Sequence, residues 1–365
     1  MSIIEKLSVT AVRNIDGLHM EPISTVNILH GENGSGKTSI LESIHLLASG
    51  RSFRTSKLEP LINTEKEEAV VFARLVDGKE IGLSKSRRQK HHLKFRSERQ
   101  SNWENVAREL PCQILDSNSF LLLEGGPKSR RHFLDWGVFH VEHSFVDNWR
   151  RTKKSIANRN LLLKHRSPDL SQIAAWDSEL CLAAKEVHRA REEYFQAFLP
   201  LFLDLYRKMN GVDVDALIIE YERGWDADRE LEDVLLESRG IDVRYGATQS
   251  GPHRADLSFK IGRNRAVDIL SRGQQKILVS TMKIAQGLLL SQALDRKCIF
   301  LVDDLPSELD QDNRAAILSQ LVSMGGQIFV SCVEIAGILD SLPGQPKLAT
   351  FHVERCQFGQ ARQAI

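Results

Sequence analysis

Eight residues near the start of the chain have the types and spacing of a loop that binds nucleotide phosphates. The pattern G-x-x-x-x-G-K-[ST] is met by Gly31, Glu32, Asn33, Gly34, Ser35, Gly36, Lys37 and Thr38. Its glycines let the backbone curl until several N–H groups face one anion. Lys37 would contact the β- and γ-phosphates, and the Thr38 hydroxyl would contact Mg²⁺. We therefore expect ATP and Mg²⁺ to bind here.

A pair of acidic residues later in the chain could complete such a site. Asp303 and Asp304 directly follow the apolar segment 298–302. An acidic residue after a buried strand is the Walker B pattern, in which Asp303 would hold the metal. Asp304 would face the water that attacks the γ-phosphate. An apolar run ending in aspartates is also a common strand end, but beside a phosphate loop it indicates a metal site.

A third motif precedes an apolar segment with helical periodicity. Its residues are Ser271, Arg272, Gly273 and Gln274, and Ser271 is placed to cap the helix. The free N–H groups at such a helix start suit a phosphate. One γ-phosphate does not need two cradles from one subunit, however. An ordinary N-cap is the simpler explanation of an isolated Ser-x-Gly.

Together the three motifs resemble the ABC-type ATPases, in which Leu-Ser-x-Gly-Gln closes over the nucleotide of the opposite subunit. The resemblance implies an α/β ABC-type ATPase head that dimerises on ATP. It also implies a D-loop containing Ser307 and Asp310. Gln113 would be the Q-loop residue and a further metal ligand. The distance in sequence between Lys37 and Ser271 leaves room for an inserted domain, which transporter ATPases lack.

Three further segments are similar to the bacterial RecF recombination-mediator family: 50–55, 125–136 and 250–257. The resemblance implies an ATP-dependent homodimer on double-stranded and gapped DNA at gaps and stalled forks. It further implies recruitment of RecR, with RecO, so that RecA can load. Asp304 replaces the glutamate usual in the wider superfamily, and only Ser331 or Cys332 stands where a switch histidine is usual. Both features predict slow ATP hydrolysis that acts as a switch.

The surrounding pattern predicts the elements that position these residues. A buried strand at 25–30 and a helix at 38–48 flank the phosphate loop. We predict a nucleotide-binding lobe at 1–118 and 294–365, and a mostly helical second domain inserted at 119–293. The predicted strands are 69–76 and 81–85, and the predicted helices are 128–139, 144–164, 171–208 and 228–239. A hairpin is predicted from 257–261 and 266–269.

Two basic clusters are candidates for DNA contact. The strand cluster comprises Lys85, Arg87, Arg88, Lys90, Lys94, Arg96 and Arg99, and the helix cluster comprises Arg150, Arg151, Lys153, Lys154, Arg159, Lys164 and Arg166. Phosphate contacts need such clusters and no sequence readout. A solvated hairpin and a solvated helix face explain either cluster equally well.

Composition limits the remaining classes. The net charge of +1 gives no overall attraction to nucleic acid, so DNA contacts must be local. The five cysteines lack a C-x-x-C pair, which suits reduced thiols. Without a secretory pattern or a membrane-length apolar run, we expect a soluble cytoplasmic protein with no membrane partner. The alternatives are a transporter's nucleotide-binding subunit and a chromosome-structuring head ATPase, which the short insert without sustained heptads disfavours.

Overall fold

The computed structural model describes residues 3–165, 168–209, 214–304, 309–344 and 346–354. The chain divides into two compact units. The first unit is Met1–Ser119 with Lys276–Ile365, and the second is Phe120–Gln275. The first boundary lies close to the predicted one, but the second comes well before residue 294.

The alternating and continuous apolar patterns form fourteen strands, β1 (Ile4–Val12), β2 (Ile15–Met20), β3 (Val26–His30), β4 (Glu68–Leu75), β5 (Glu80–Ser86), β6 (His92–Phe95), β7 (Glu98–Gln100), β8 (Cys112–Leu115), β9 (Leu217–Glu222), β10 (Asp256–Ile261), β11 (Asn264–Arg265), β12 (Ile299–Val302), β13 (Ile328–Cys332) and β14 (Leu348–His352). The described α-helices are α1 (Lys37–Ser49), α2 (Glu104–Glu109), α3 (Pro127–Val141), α4 (Phe145–Leu163), α5 (Leu170–Lys208), α6 (Leu231–Tyr245), α7 (Ala266–Ile269), α8 (Arg272–Leu294), α9 (Gln311–Ser323) and α10 (Ala336–Leu339).

Two sheets build the first unit. An antiparallel sheet has the order β2-β1-β4-β5-β6-β7, and a parallel sheet has the order β14-β3-β13-β12-β8. One apolar core contains residues of both sheets and of α1. Strands of the parallel sheet are buried on both faces, which explains why β12 and β13 are apolar at nearly every position.

The position of α8 explains the shifted boundary. Lys283 on this helix donates from Nζ to the carbonyl of Ile114 at 2.5 Å and to Ser119 Oγ at 2.7 Å. Gln286 accepts a hydrogen bond from Gln113 at 2.9 Å. These contacts join most of α8 to the end of β8, so residues 276–293 belong to the first unit.

Helix α8 is apolar over much of its length, although the sequence contains no uninterrupted apolar run of membrane length. Among the described residues it is the one helix long and apolar enough to cross a bilayer, and 61% of that stretch is buried inside the protein. Leu278, Met282 and Ile284 are fully covered. The apolar character of α8 is therefore that of a core helix.

The second unit combines long helices with the three-stranded sheet β11-β10-β9. The predicted hairpin forms, but its second strand is the shorter β11 and not 266–269. Residues 266–269 form α7, because Leu270 N bonds to the carbonyl of Ala266 and closes a helical turn. Strand β10 also pairs with β9, where Leu257 lies opposite Tyr221; β9 falls between the predicted helices 171–208 and 228–239 and was not predicted.

A buried row of aromatic residues runs along α5. Tyr194, Phe198, Phe202 and Tyr206 recur every fourth residue, and successive rings stack at 5.5–6.0 Å. Residues four apart share one helix face, so this spacing creates a continuous aromatic edge. Gly137 on α3 approaches the Tyr194 ring so closely that a Cβ there would lie 2.1 Å from it. Any larger residue would force α3 away from α5.

Candidate nucleotide-binding site

A cavity of about 850 Å³ opens where the parallel strands of the first unit end. In parallel α/β sheets, ligands bind at the carboxyl ends of the strands. Strands β3, β13 and β12 are neighbours, and their ends place the phosphate loop, Ser331 and the aspartate pair side by side. The cavity is lined by Arg13, Asn14, Asp16, Asn33, Gly34, Gly36, Lys37, Thr38, Ser39, Arg54, Pro60, Ile62, Asn63, Thr64, Glu65, Asp303, Asp304 and Ser331.

The loop that begins this cavity needs its glycines. Gly31 has φ +148°, and a Cβ on it would lie 2.4 Å from the carbonyl oxygen of Val353. Gly36 caps α1 in the left-handed region, at φ +119°. The loop's Ser35 hydroxyl is buried and has no hydrogen-bond partner among the described residues. An unsatisfied hydroxyl beside a helix N-terminus fits an anionic ligand with acceptor oxygens.

Lys37 is held inside the concavity of the loop. Its Nζ donates to the carbonyl oxygens of Gly31 at 2.7 Å and Glu32 at 2.8 Å. Burial lowers the pKa of Lys37, while the nearby carboxylates of Asp304 and Asp303 oppose this shift. An anion in the cavity would stabilise the charged ammonium, which burial separates from water.

Thr38, Asp303 and Ser331 form the chain of polar contacts expected at a metal site. Asp303 Oδ1 accepts hydrogen bonds from Thr38 Oγ1 at 2.9 Å and Ser331 Oγ at 2.7 Å. Burial raises the pKa of Asp303, although both hydrogen bonds favour its charged form. A carboxylate and a hydroxyl are oxygen ligands of the kind that Mg²⁺ takes, so these residues fit the ion.

Asp304 adopts a conformation unusual for a non-glycine residue. Its φ is +52°, and its backbone N–H donates to Ser331 Oγ at 2.9 Å. Ser331 therefore links the two aspartates. Of the two residues predicted at the switch-histidine position, Ser331 lines the cavity and Cys332 does not.

Arg13 and Asn14, which follow β1 and line the cavity, were not predicted from the sequence. Asn14 donates from Nδ2 to the carbonyl of Gly34 at 2.8 Å and accepts from Ser39 Oγ at 2.8 Å. It thereby ties the phosphate loop to the first turn of α1. The signal in the sequence was a polar pair interrupting two alternating strands, which by itself reads as a turn.

Glu42 on α1 was also missed, because a glutamate in a helix is usually exposed to solvent. Its side chain is fully buried. Its carboxylate accepts hydrogen bonds from Nε and from a terminal nitrogen of Arg13, at 2.9 and 2.8 Å. Ser52 donates to the same carboxylate, and Arg54 lies 3.9 Å away. Glu42 thus fixes both Arg13 and the segment 50–55 beside the phosphate loop.

The structure does not bring Gln113 into the cavity. Gln113 lies within β8, in register with Phe300, about three residues or roughly 10 Å before the level of Asp303. Its buried side-chain nitrogen donates to Gln286 Oε1. The Gln113 amide thus packs β8 against α8 in this structure, and its role as a Q-loop metal ligand stays a prediction.

The signature residues form a capping box at the start of α8. Ser271 Oγ accepts from the Gln274 backbone N–H at 3.3 Å, and Gln274 Oε1 accepts from the Ser271 N–H at 2.8 Å. Arg272 pairs with Glu124, and Gly273 is partly exposed. Ser271, Arg272 and Gln274 are exposed, so this surface is open to a second molecule.

The predicted D-loop is described only in part. Ser307 lies outside the described residues. Asp310 caps α9 and accepts hydrogen bonds from the backbone and side-chain nitrogens of Asn313, at 2.9 and 2.8 Å. Its carboxylate is thus used in holding the helix start.

The strand cluster lies on β5, β6 and β7 and the turns between them. Arg87 is turned toward the protein, where it donates to the carbonyl oxygens of Glu59, Ile62 and Asn63. Arg88 pairs with Glu67 at 3.1 Å. Lys90 and Lys94 are exposed and make no ion pair among the described residues, so their charges are available to phosphates.

The helix cluster includes one residue that cannot face DNA. Arg159 is fully buried and donates to Asp177 and, at 2.7 Å, to Asp242. Removing one partner of such a buried pair costs several kcal/mol, so Arg159 is structural and its inclusion in the cluster was wrong. Arg166 lies outside the described residues.

The rest of the helix cluster is exposed. Arg150 pairs with Asp147 at 3.2 Å and Arg151 with Glu179 at 2.8 Å. Lys153 and Lys154 have no ion pair among the described residues. Together with Lys164, which is also exposed and has no ion pair among the described residues, these lysines are the available charges of this cluster.

Comparison with known proteins agrees with this geometry. Residues 3–339 match the family model described as the RecF/RecN/SMC N terminal domain. Over 361 residues the chain is 44% identical to the DNA replication and repair protein RecF of Pseudomonas entomophila (strain L48), covering 98% of each chain. The RecF of Pseudomonas fluorescens (strain SBW25) is likewise 44% identical over 361 residues, with 98% of each chain covered.

Solved structures show the same fold. A recombination mediator RecF bound to ATP has a TM-score of 0.84 at 23% identity, with 97% of this chain and 96% of that chain covered. An Smc head bound to the C-winged helix domain of ScpA has a TM-score of 0.57 at 13% identity, with 97% and 95% covered. The ABC-type ATPase head predicted from the motifs is confirmed, and the chain belongs to the RecF family of DNA replication and repair proteins.

Proposed function

We propose that the chain is an ATP-dependent DNA-binding recombination mediator that dimerises when ATP binds. The observation that carries the proposal is the convergence of Lys37, Thr38, Asp303 and Ser331 in one cavity, together with an exposed capping box at Ser271. A nucleotide in the cavity would leave its γ-phosphate side for the Ser271 surface of a second chain. ATP then acts as the contact that closes a homodimer.

Each residue has a defined part in this switch. Lys37 and the N–H groups at the start of α1 would neutralise the phosphates. Thr38 and Asp303 would hold Mg²⁺, which supplies charge neutralisation at the phosphate oxygens when bound. Asp304 would accept a hydrogen bond from the attacking water, and its short side chain suits slow hydrolysis. Slow hydrolysis gives the closed dimer a long lifetime before release.

Membership of the RecF family supports the DNA and protein partners. One relative of known structure is described as the recombination mediator RecF of the RecFOR pathway. We infer that the closed dimer holds double-stranded DNA at gaps or stalled forks in the cytoplasm. RecR, with RecO, would then be recruited so that RecA can load.

Sedimentation velocity of the full chain tests the switch, the dimer and the ligand in one series. We expect a monomer without nucleotide, a dimer with ATP and Mg²⁺, and a DNA-bound dimer when gapped duplex is added. A fully single-stranded oligonucleotide of the same length serves as the control ligand. A monomer under every condition would contradict the proposal, and an ATP-dependent dimer that ignores DNA would limit it to the nucleotide switch.

The two basic clusters can be separated by matched lysine pairs. We expect Lys90→Gln with Lys94→Gln, or Lys153→Gln with Lys154→Gln, to reduce the slope of log K against log[salt] by about 2 for the cluster that contacts phosphates. Binding isotherms on gapped duplex at several salt concentrations measure this slope. The control is Lys208→Gln with Lys260→Gln, because these lysines already pair with Asp204 and Glu220. Wild-type slopes in both test variants would place the DNA surface elsewhere.

A further inference from the structure

The second unit contains a cavity of its own, of about 550 Å³. This volume falls within the range of roughly 300–1,000 Å³ typical of small-ligand sites. Its wall is formed by α5, β9 and the turns that follow β9 and precede β10. Its lining includes His188, Glu192, Tyr221, Glu222, Arg223, Trp225 and Arg254.

One wall of the cavity is aromatic. The His188 ring stacks on Tyr221 with centroids 5.8 Å apart and an interplanar angle of 28°. Trp225 meets the same imidazole edge-on at 5.5 Å. Burial lowers the pKa of His188, so the imidazole is neutral near pH 7 and adds a flat ring and not a charge. Three adjoining rings form a surface suited to a planar ligand.

Two guanidinium groups line the same cavity without a carboxylate partner among the described residues. Arg223 donates to the backbone oxygens of Asp226 and Arg229, the latter at 2.6 Å. Arg254 donates to the carbonyl of Thr248 at 3.4 Å and to Gln249 Oε1 at 3.1 Å. Neutral oxygens orient these groups, and the Arg223 guanidinium also lies over the Trp225 ring at 4.6 Å. The carboxylates of Glu192 and Glu222 line the cavity as well but form no ion pair with either arginine. An anion beside the aromatic wall would be attracted to both guanidinium groups.

The wall also contains polar atoms that the protein leaves unsatisfied. His188 Nδ1, Arg223 Nε and Trp225 Nε1 are buried and have no hydrogen-bond partner in the part of the chain that the structure describes. Buried polar atoms are nearly always paired in folded proteins, so three at one cavity call for a ligand. Glu192, at the rim, adds a half-exposed acceptor. The cavity therefore offers both donors and an acceptor around its rings.

The segment 250–257, which the nucleotide site does not use, builds this cavity. Gly251 N donates to the carbonyl of Gly224 at 3.0 Å, and a Cβ on Gly224 would lie 2.3 Å from the Gly251 oxygen. Gly224 also has φ +96°, which favours glycine. This close crossing brings Arg254 to the turn that carries Arg223 and Trp225.

We propose that this cavity binds one nucleotide of an unpaired DNA strand. The base lies against the wall of His188, Tyr221 and Trp225, and its phosphate meets Arg223 and Arg254. A nucleobase supplies the flat ring and the edge donors and acceptors, and a phosphodiester supplies the anion. The inference rests on the proposed DNA-binding function. An unpaired strand is the feature that distinguishes a gap from intact duplex.

Two probes test the cavity on the full-length chain. The first is a thymidine trinucleotide, followed by ligand-observed NMR without ATP, since a trinucleotide is too short to require a closed dimer. The second is a gapped duplex with 2-aminopurine in the gap, whose fluorescence falls when the base stacks. We expect Trp225→Leu to weaken trinucleotide binding about tenfold and to remove the gap-dependent quenching. We expect Arg254→Gln to weaken binding and to lower the salt slope by about 0.7.

The control variant is Arg189→Gln, which removes the same charge from an exposed arginine paired with Glu186 and Glu193. Trp225→Phe, which keeps the packing and removes the indole N–H, covers the case in which Trp225→Leu unfolds. Wild-type trinucleotide binding in Trp225→Phe and Arg254→Gln would overturn the proposal. It would also be overturned if a glutamate-rich peptide bound there in place of the trinucleotide. Trinucleotide binding without ATP-dependent retention of gapped DNA would refute the proposed function and leave the cavity assignment standing.

Discussion

Lys37→Ala is expected to lower ATP affinity at least about 100-fold, because a charge-assisted contact is worth ~1.5–3 kcal/mol and Lys37 would serve two phosphates. In the structure the ammonium already lies inside the loop, held by the carbonyls of Gly31 and Glu32. Alanine removes the charge and leaves a buried anion site without its counter-ion. Equilibrium binding of a labelled ATP analogue measures the loss.

Lys37→Arg separates charge from placement. Arginine keeps the charge but spreads it over a planar fork that does not fit the space of a compact ammonium. We expect partial ATP binding and loss of turnover. Lys57→Ala is the matched control, since Lys57 is exposed and does not line the cavity. Full affinity in Lys37→Ala would remove the phosphate-loop assignment.

Local patterns predicted the elements whose residues interact over short distances in sequence. The apolar run before Gly31 predicted β3, and the apolar run before Asp303 predicted β12. The capping box at Ser271 uses partners three residues apart, so its N-cap role was also readable from sequence and is confirmed. In each case the residues that decide the structure are neighbours in the chain.

The remaining site residues depend on contacts that the chain makes far from each residue. Arg13 becomes part of the cavity through Glu42, and Asn14 through the carbonyl of Gly34. Gln113 and Arg159 show the converse effect of such distant contacts. Their residue types suited a metal site and a DNA surface, but the packing of β8 on α8 and of α4 on α5 buries both. A polar residue's role is set by whether tertiary packing covers it, which one sequence does not reveal.

Ser271→Arg should leave a chain that binds ATP through its own phosphate loop and no longer dimerises. Ser271 is exposed at the start of α8 and is assigned to the nucleotide of the opposite subunit, so a bulky cation there would block closure. We expect dimerisation on ATP to weaken at least tenfold, with ATP-stimulated retention on gapped DNA lost as well. Sedimentation and nucleotide binding on the same sample measure both properties. Ser271→Ala is the control, because it also loses the capping hydroxyl, at a cost of about 1 kcal/mol, without adding bulk.

Mixing Ser271→Arg with Lys37→Ala protein tests whether the site is shared. A mixed dimer has one intact composite site, formed by the phosphate loop of the Ser271→Arg chain and Ser271 of the Lys37→Ala chain. Up to roughly a quarter of the wild-type ATPase rate should return, because about half of randomly paired dimers are mixed and one of their two sites works. Each variant alone should be inactive. If mixed dimers form and no activity returns at any ratio, the nucleotide pocket is complete within one chain, and the exposed surface at Ser271 has another purpose.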